Sequence, residues 1–266
     1  MSFDAVIFDL DGTLLNTIED IADAVNAAML SLGLECVSVE QAMARVGNGF
    51  KVLLERCIPD ELRTDALLAK AYDKFVESYE KCYANRTAAY EGIKELVREL
   101  SARHIKMAVN TNKRNDYANR LIEMHFEDEQ DRQQMTDSCA SEVPSVQQTG
   151  CSTDGQSVQQ TGCSTDGQSG LKTAGQRVFV KVLGEGTGYP RKPDPAGALY
   201  LADLMGVSPE RTVYIGDSQT DAATGKNAGM TFIGVCWGFR SRQVLEECGA
   251  DYIVETPQEI LNIITG

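Results

Sequence analysis

Residues 5–15 read AVIFDLDGTLL, and the first four of them decide the fold. Ala5, Val6, Ile7 and Phe8 form an apolar run of strand length with β-branched members, too short for a helix of its own. The run then gives way to Asp9 and Asp11, one residue apart, followed by Gly12 and Thr13. Residues two apart on a strand share a face, so both carboxylates are expected to point one way at the strand's carboxyl end. Taken alone, the stretch leaves open a plainer reading in which two acids merely cap a turn before Gly12.

Outward from this stretch, further strand-length runs lie at residues 106–110 (KMAVN), 177–184 (RVFVKVLG), 212–217 (TVYIGD), 231–238 (TFIGVCWG) and 251–254 (DYIV). Helical patterns fall between them, at 92–103, 115–124, 194–205, 221–228, 241–247 and 257–263. The alternation predicts an α/β fold, a Rossmann-like parallel sheet covered by helices on both faces. Ligands of such sheets bind beyond the carboxyl ends of the strands. Residues 17–88 break the alternation with helical spacing throughout, as in IADAVNAAMLSLG and DALLAKAYDKFVESYEKCY. The expected organisation is a discontinuous core, 1–16 and 89–266, with a helical unit of 17–88 inserted after the first strand as a structural subdomain or a lid.

Residues 127–176 differ from the rest. SVQQTGCSTDGQ at 145–156 is repeated unchanged at 157–168. This Gln/Ser/Thr/Gly composition has little to bury, so a mobile surface loop inserted in the core is expected. Cys139, Cys151 and Cys163 recur every twelve residues, but without a nearby histidine or short-range pair the spacing is unlike a zinc site. A tolerated duplication is the simpler account, and the sequence names no partner for the loop.

Composition narrows the function. The 266 residues are 42% hydrophobic, enough for one large core or two modest ones. With 25 Lys and Arg against 39 Asp and Glu, the net charge is -14, which argues against nucleic acid as a partner. No apolar run approaches membrane-spanning length, and the start MSFDAVIFDLDG lacks the features of a secretory signal. Eight cysteines without a C-x-x-C pair fit free thiols in a reducing compartment. The expectation is a cytoplasmic protein. An anionic substrate requires a metal or a few placed cations to overcome the general repulsion.

Candidates for those charges stand at other strand ends. YIGDSQTDAATGKNAGM places Asp217 and then Asp221 before a helix. Carboxylates at two strand ends, without a His or Cys cluster, favour a hard cation with oxygen ligands, magnesium rather than zinc. AVNTNK brings Thr111 to a third strand end, and YPRKPDPAGA holds Lys192 in a turn stiffened by Pro190, Pro193 and Pro195.

With those residues in order, the chain resembles the haloacid dehalogenase superfamily over nearly all its length outside 127–176. The four signatures read DLDGTL from Asp9, Thr111 within NTN, Lys192 within RKPDP, and GDSQTD from Gly216. The resemblance implies Asp9 as nucleophile and Asp11 as general acid and base. It further implies Thr111, Asn112 and Lys192 on the phosphate, and magnesium held among Asp9, Asp11, Asp217 and Asp221. It also implies that 17–88 is a helical cap. An aspartyl phosphate would then split one hard hydrolysis into two displacements.

Within the family, Asp11 implies monoester chemistry. RVGNGFKVLLER, residues 45–56, sets Gly47 and Gly49 about Asn48 ahead of a helix, where backbone N–H groups can approach a small anion. This resembles the cap loop of phosphoglycolate phosphatases, and Arg45 becomes a candidate for a substrate carboxylate; an ordinary interhelical turn is the alternative. The leading expectation is a magnesium-dependent phosphatase of a small phosphorylated metabolite, with 2-phosphoglycolate favoured. A β-phosphoglucomutase-like transferase shares every core residue, and a binding or regulatory protein with a vestigial site is the reading from another class.

Overall fold

A computed structural model describes residues 3–127 and 177–266. The repeat-bearing stretch 128–176, with Cys139, Cys151 and Cys163, lies outside the described residues. The chain runs from β1 (Ala5–Phe8) through a turn to the short β2 (Leu15–Asn16). Four α-helices follow, α1 (Ile18–Ser31), α2 (Val39–Arg45), α3 (Phe50–Cys57) and α4 (Asp65–Cys82). Strand β3 (Ala88–Ala89) then pairs antiparallel with β2. Thereafter helix and strand alternate: α5 (Ile93–Ala102), β4 (Lys106–Arg114), α6 (Asn115–Phe126), β5 (Val182–Glu185), α7 (Ala196–Met205) and β6 (Thr212–Gly216). The chain closes with α8 (Gln219–Asn227), β7 (Thr231–Val235), α9 (Arg242–Glu247), β8 (Tyr252–Val254) and α10 (Pro257–Thr265).

Six strands make one parallel sheet in the order β5-β4-β1-β6-β7-β8, the Rossmann-like α/β architecture expected from the alternation. Strand β1 is apolar throughout because both faces are covered. Val6 and Phe8 pack with Ile93, Leu96, Leu121 and Ile260 on one side. Ala5 and Ile7 pack with Ala198, Leu201 and Phe232 on the other. Burying a side chain the size of Phe8 or Ile7 contributes about 1.5–3 kcal/mol. Neighbours β4 and β6 leave β1 in opposite directions across the sheet, so a crevice opens beyond its carboxyl end. Asp9 stands there.

The four helices of the insertion have a separate apolar cluster. Ile21, Val25 and Met29 of α1 meet Phe50, Leu53 and Leu54 of α3 and Phe75 and Tyr79 of α4, joined by Tyr117 from α6. Asp20, fully buried, accepts the N–H groups of Arg86 and Thr87 and the Thr87 hydroxyl. That one carboxylate ties the start of α1 to the returning chain, beside the β2–β3 ribbon. Met1–Phe126 and Val178–Gly266 form one unit by contact, with the insertion resting on the carboxyl edge of the sheet through Tyr117. Among the described residues no helix is long and apolar enough to cross a membrane, and Cys36, Cys57, Cys82, Cys236 and Cys248 are free thiols.

Candidate active site

Two strand ends, a helix start and a turn deliver the acidic and basic groups. Asp9 leaves β1, Asp217 leaves β6, and Asp221 stands in the first turn of α8, where Ser218 caps the helix and its N–H and hydroxyl both donate to Asp221 Oδ2. All three acids are buried, and an oxygen from each lies within 4.8 Å of the others. Lys192, itself buried, reaches in with Nζ 2.7 Å from Asp9 Oδ1 and 2.7 Å from Asp221 Oδ1. Burial alone would strip the charge from this lysine, yet Asp221 and Asp9 outweigh it and hold its pKa well above the ordinary range. Burial, then repulsion from Asp221, pushes Asp9 well above the usual carboxylate range. The same two causes raise Asp217 to about 7, against the Phe239 N–H that donates to its Oδ2 at 2.5 Å. Gly12 makes room for that carboxylate. Its φ of +88° suits glycine, and a Cβ there would strike Asp217 Oδ2.

Three carboxyl groups facing one ammonium make a buried pocket of oxygen donors in which acids outnumber the cation. This set fits a hard divalent cation such as magnesium.

Asp11 is turned away from that group. Its Oδ1 accepts from the Thr17 hydroxyl at 2.6 Å and from Lys113 Nζ at 2.9 Å. Of the four carboxylates expected to hold a metal, Asp9, Asp217 and Asp221 are gathered together, while Thr17 and Lys113 engage that of Asp11. Asp9 and Asp11 nevertheless line one cavity, with Gly47, Gly49, Phe50, Thr111, Asn112, Lys113, Lys192, Asp217, Phe239 and Arg240 on its wall. Two acids merely capping a turn do not describe this arrangement. The cavity encloses about 30 Å³, room for a water or two.

The other expected residues divide between the cavity wall and positions away from it. Thr111 is buried on the wall, its hydroxyl oxygen accepting the Lys113 N–H. Asn112 has both ends of its amide committed elsewhere: Oδ1 accepts the Lys192 N–H at 2.9 Å, and Nδ2 donates to the carbonyls of Lys192 and Gly47. Its side-chain amide holds the lysine's backbone in place and is fully engaged there. Arg45 ends α2 and turns along the insertion to Cys57 Sγ at 3.8 Å; the guanidinium on the cavity wall is that of Arg240. Asn48 faces α3, accepting from Arg56, while Gly47 and Gly49 do line the cavity. Trp237 packs behind the site, its indole N–H donating to the Thr13 carbonyl at 3.1 Å.

Two contributors escaped the sequence reading. Lys113 follows Thr111 by two on β4, so the strand period alone could have placed both on one face. Arg240 has no such local signal. Its Nη2 donates to the Val46 carbonyl at 2.7 Å, beside Asn112 on Gly47 at 3.1 Å and Arg191 on Asn48 at 3.3 Å. Three successive carbonyls of the insertion's loop are thus taken by three residues of the sheet side, each adjacent in sequence to a site residue or its partner.

With this geometry established, comparison with known proteins gives the class. Two family models match: haloacid dehalogenase-like hydrolase over residues 6–129 and a second haloacid dehalogenase hydrolase-like model over residues 189–260. The chain belongs to the haloacid dehalogenase superfamily. A phosphoglycolate phosphatase of Chromobacterium violaceum is 27% identical over 98% of this chain and 96% of its own. One of Psychrobacter arcticus is 26% identical over 91% and 87%. A crystal structure from Lactobacillus delbrueckii subsp. bulgaricus, provisionally given that same name, superposes with a TM-score of 0.76 at 26% identity over the whole of both chains.

Proposed function

We propose that this chain, a phosphoric monoester hydrolase of the haloacid dehalogenase superfamily, hydrolyses a small phosphomonoester through an aspartyl phosphate on Asp9, with 2-phosphoglycolate its favoured substrate. The observation that carries the reading is the juxtaposition of Asp9, Asp217 and Asp221 about Lys192. The named phosphoglycolate phosphatases among its relatives support the choice of substrate.

An Asp9 oxygen attacks phosphorus in line, the P–O bond to the alcohol breaks, and Asp11 gives the departing alkoxide its proton. Lys192 follows the negative charge from the carboxylate to the phosphoryl oxygens, and Thr111 steadies them with its hydroxyl. Asp11 then takes a proton from water as that water attacks the aspartyl phosphate, releasing inorganic phosphate and restoring Asp9. Magnesium, held by Asp9, Asp217 and Asp221, would supply the charge that lets an anionic nucleophile meet an anionic ester. Residues 17–88 act as a cap. Lying over the strand ends, the insertion would exclude bulk water from the bound ester.

Phosphate release from 2-phosphoglycolate, with magnesium and with a chelator, tests the reading. Magnesium-dependent release in the wild type and none in Asp9→Asn is expected. Retained turnover in that variant would overturn the mechanism. Conversion of a hexose 1-phosphate to its 6-phosphate in place of phosphate release would make the chain a mutase.

A further inference from the structure

Lys113 projects from β4 with its side chain fully buried. Its ammonium touches both halves of the site. On the sheet side it donates to Asp11 Oδ1 at 2.9 Å. On the insertion side it lies 5.6 Å from the ring centre of Phe50 on α3 and 5.0 Å from that of Tyr79 on α4. Those rings are themselves fixed, 5.1 Å apart and nearly edge to face, with Phe75 stacked on Tyr79. A desolvated ammonium over two aromatic faces is attracted by the ring quadrupoles, and that attraction exists only while α3 and α4 rest on the sheet edge.

The consequence falls on Asp11. Lys113 and Thr17 approach the same oxygen, Oδ1. Two donors on one oxygen fix the plane of the carboxyl group and leave Oδ2 for proton traffic with the substrate. Thr17 belongs to the linker at the start of the insertion, and Lys113 is held by the insertion's rings. Both constraints on Asp11 therefore answer to the position of the helices.

We propose that Lys113 is a positioning residue that makes proton donation by Asp11 depend on docking of α3 and α4, so that departure of a poor leaving group requires the closed insertion. This rests on the phosphatase reading above. Its signature is a dependence on leaving group. An alkoxide needs the proton from Asp11 as the P–O bond breaks, whereas p-nitrophenolate departs without one.

The test compares kcat/KM, which reports steps through leaving-group departure and excludes later hydrolysis of the aspartyl phosphate. Three substrates are used: p-nitrophenyl phosphate, 2-phosphoglycolate, and 2-hydroxyethyl phosphate, which lacks the carboxylate. Lys113→Met keeps the length of the stem. It is expected to lower both alkyl esters relative to the aryl ester by about 100-fold, the usual size of a general-acid contribution. Asp11→Asn should show the same pattern, and the double variant should be no worse than Asp11→Asn alone. Phe50→Leu, which removes one of the two rings and leaves Lys113 and Asp11 intact, should shift the same ratio in the same direction by about 3- to 10-fold. It keeps the proposal testable if Lys113→Met does not fold.

Equal losses on aryl and alkyl esters would overturn the proposal, as would no loss on any. A loss confined to 2-phosphoglycolate would also overturn it, making Lys113 a carboxylate ligand instead. Loss of aryl phosphate turnover in Asp9→Asn is the separate check on the underlying reading, and its failure would be recognised whatever Lys113 does.

Discussion

The ammonium of Lys192 lies 2.7 Å from Asp9 Oδ1, with Asp221 equally close to it. Buried alone, each of these groups would shed its charge. Here the lysine keeps its charge, since it serves two acids at once, and Ser218 takes the remaining oxygen of Asp221. Asp9, the proposed nucleophile, is thus paired with an ammonium that can move with the charge to phosphoryl oxygens. Among the described residues no lysine pairs with Asp217, and it is an acid whose state should respond to metal.

Metal-free stability should carry the mark of Asp217. Its carboxyl is raised from 3.8 to about 7 by burial and by Asp221. Between those values the folded chain holds a proton the unfolded chain lacks, so stability falls as pH rises through that window. The gap corresponds to about 4 kcal/mol. Thermal unfolding with a chelator should show Tm dropping by several degrees from pH 4.5 to 7.5, and the drop should be smaller in Asp217→Asn. Magnesium should restore more stability at pH 7.5 than at 4.5, since it displaces the proton. A variant-corrected profile that is flat or rises with pH would refute this.

Lys192→Met leaves Asp9 and Asp221 buried without their counter-ion. Breaking such a pair by removing one partner costs about 3–5 kcal/mol. Loss of stability by that amount in chemical denaturation at pH 7.5 is expected, together with turnover reduced by at least about 10³, the scale of losing a transition-state charge. Because the penalty is that of unpaired carboxylates, it should shrink at pH 4.5. A stability loss independent of pH would show that packing of the lysine stem, not charge, is what was removed.

The sheet was legible because each strand is a local object. The apolar run at β1, and the runs at β4, β6, β7 and β8, needed only composition and length, and the acids at their ends followed from strand polarity. Asp9, Lys192, Asp217 and Asp221 were brought together as expected. What was not legible depends on side-chain direction at long range. Arg45 looked like a substrate ligand because it borders a glycine loop, but the end of α2 aims it at Cys57. Arg240 comes to the cavity from a turn nearly 200 residues away, held by carbonyls that no sequence pattern marks. Asn112 stands on the cavity wall as expected, but its side-chain amide is taken by the backbone of Lys192 and Gly47. Asp11 has the right spacing, but Lys113 and Thr17 decide where its carboxylate points.

Gly12→Ala should separate metal affinity from gross folding. At φ +88° a Cβ is strained by about 1–3 kcal/mol, and this one meets Asp217 Oδ2. The carboxylate must withdraw from the group it forms with Asp9 and Asp221. Magnesium titration by calorimetry should show at least about tenfold weaker binding, the effect of displacing one ligand of three. A variant that folds with lower Tm yet binds magnesium as tightly as wild type would mean that Asp217 is not among the ligands.

Arg240 offers the last test, on how the insertion's loop is held. Its guanidinium donates to the Met43 and Val46 carbonyls, both at 2.7 Å, and Arg191 donates to Asn48 two residues on. Hydrogen bonds from a charged donor contribute about 1.5–3 kcal/mol each, so Arg240→Gln should raise KM for the favoured substrate about tenfold or more, with a smaller effect on kcat. Arg191→Gln should do the same more weakly, since its bond is longer at 3.3 Å and more exposed. If both act by seating one loop, releasing it once removes most of the benefit of the second contact. The double variant should then lose less than the sum, with a coupling of about 1 kcal/mol in kcat/KM. Strict additivity would show two independent surface contacts and no common loop between them.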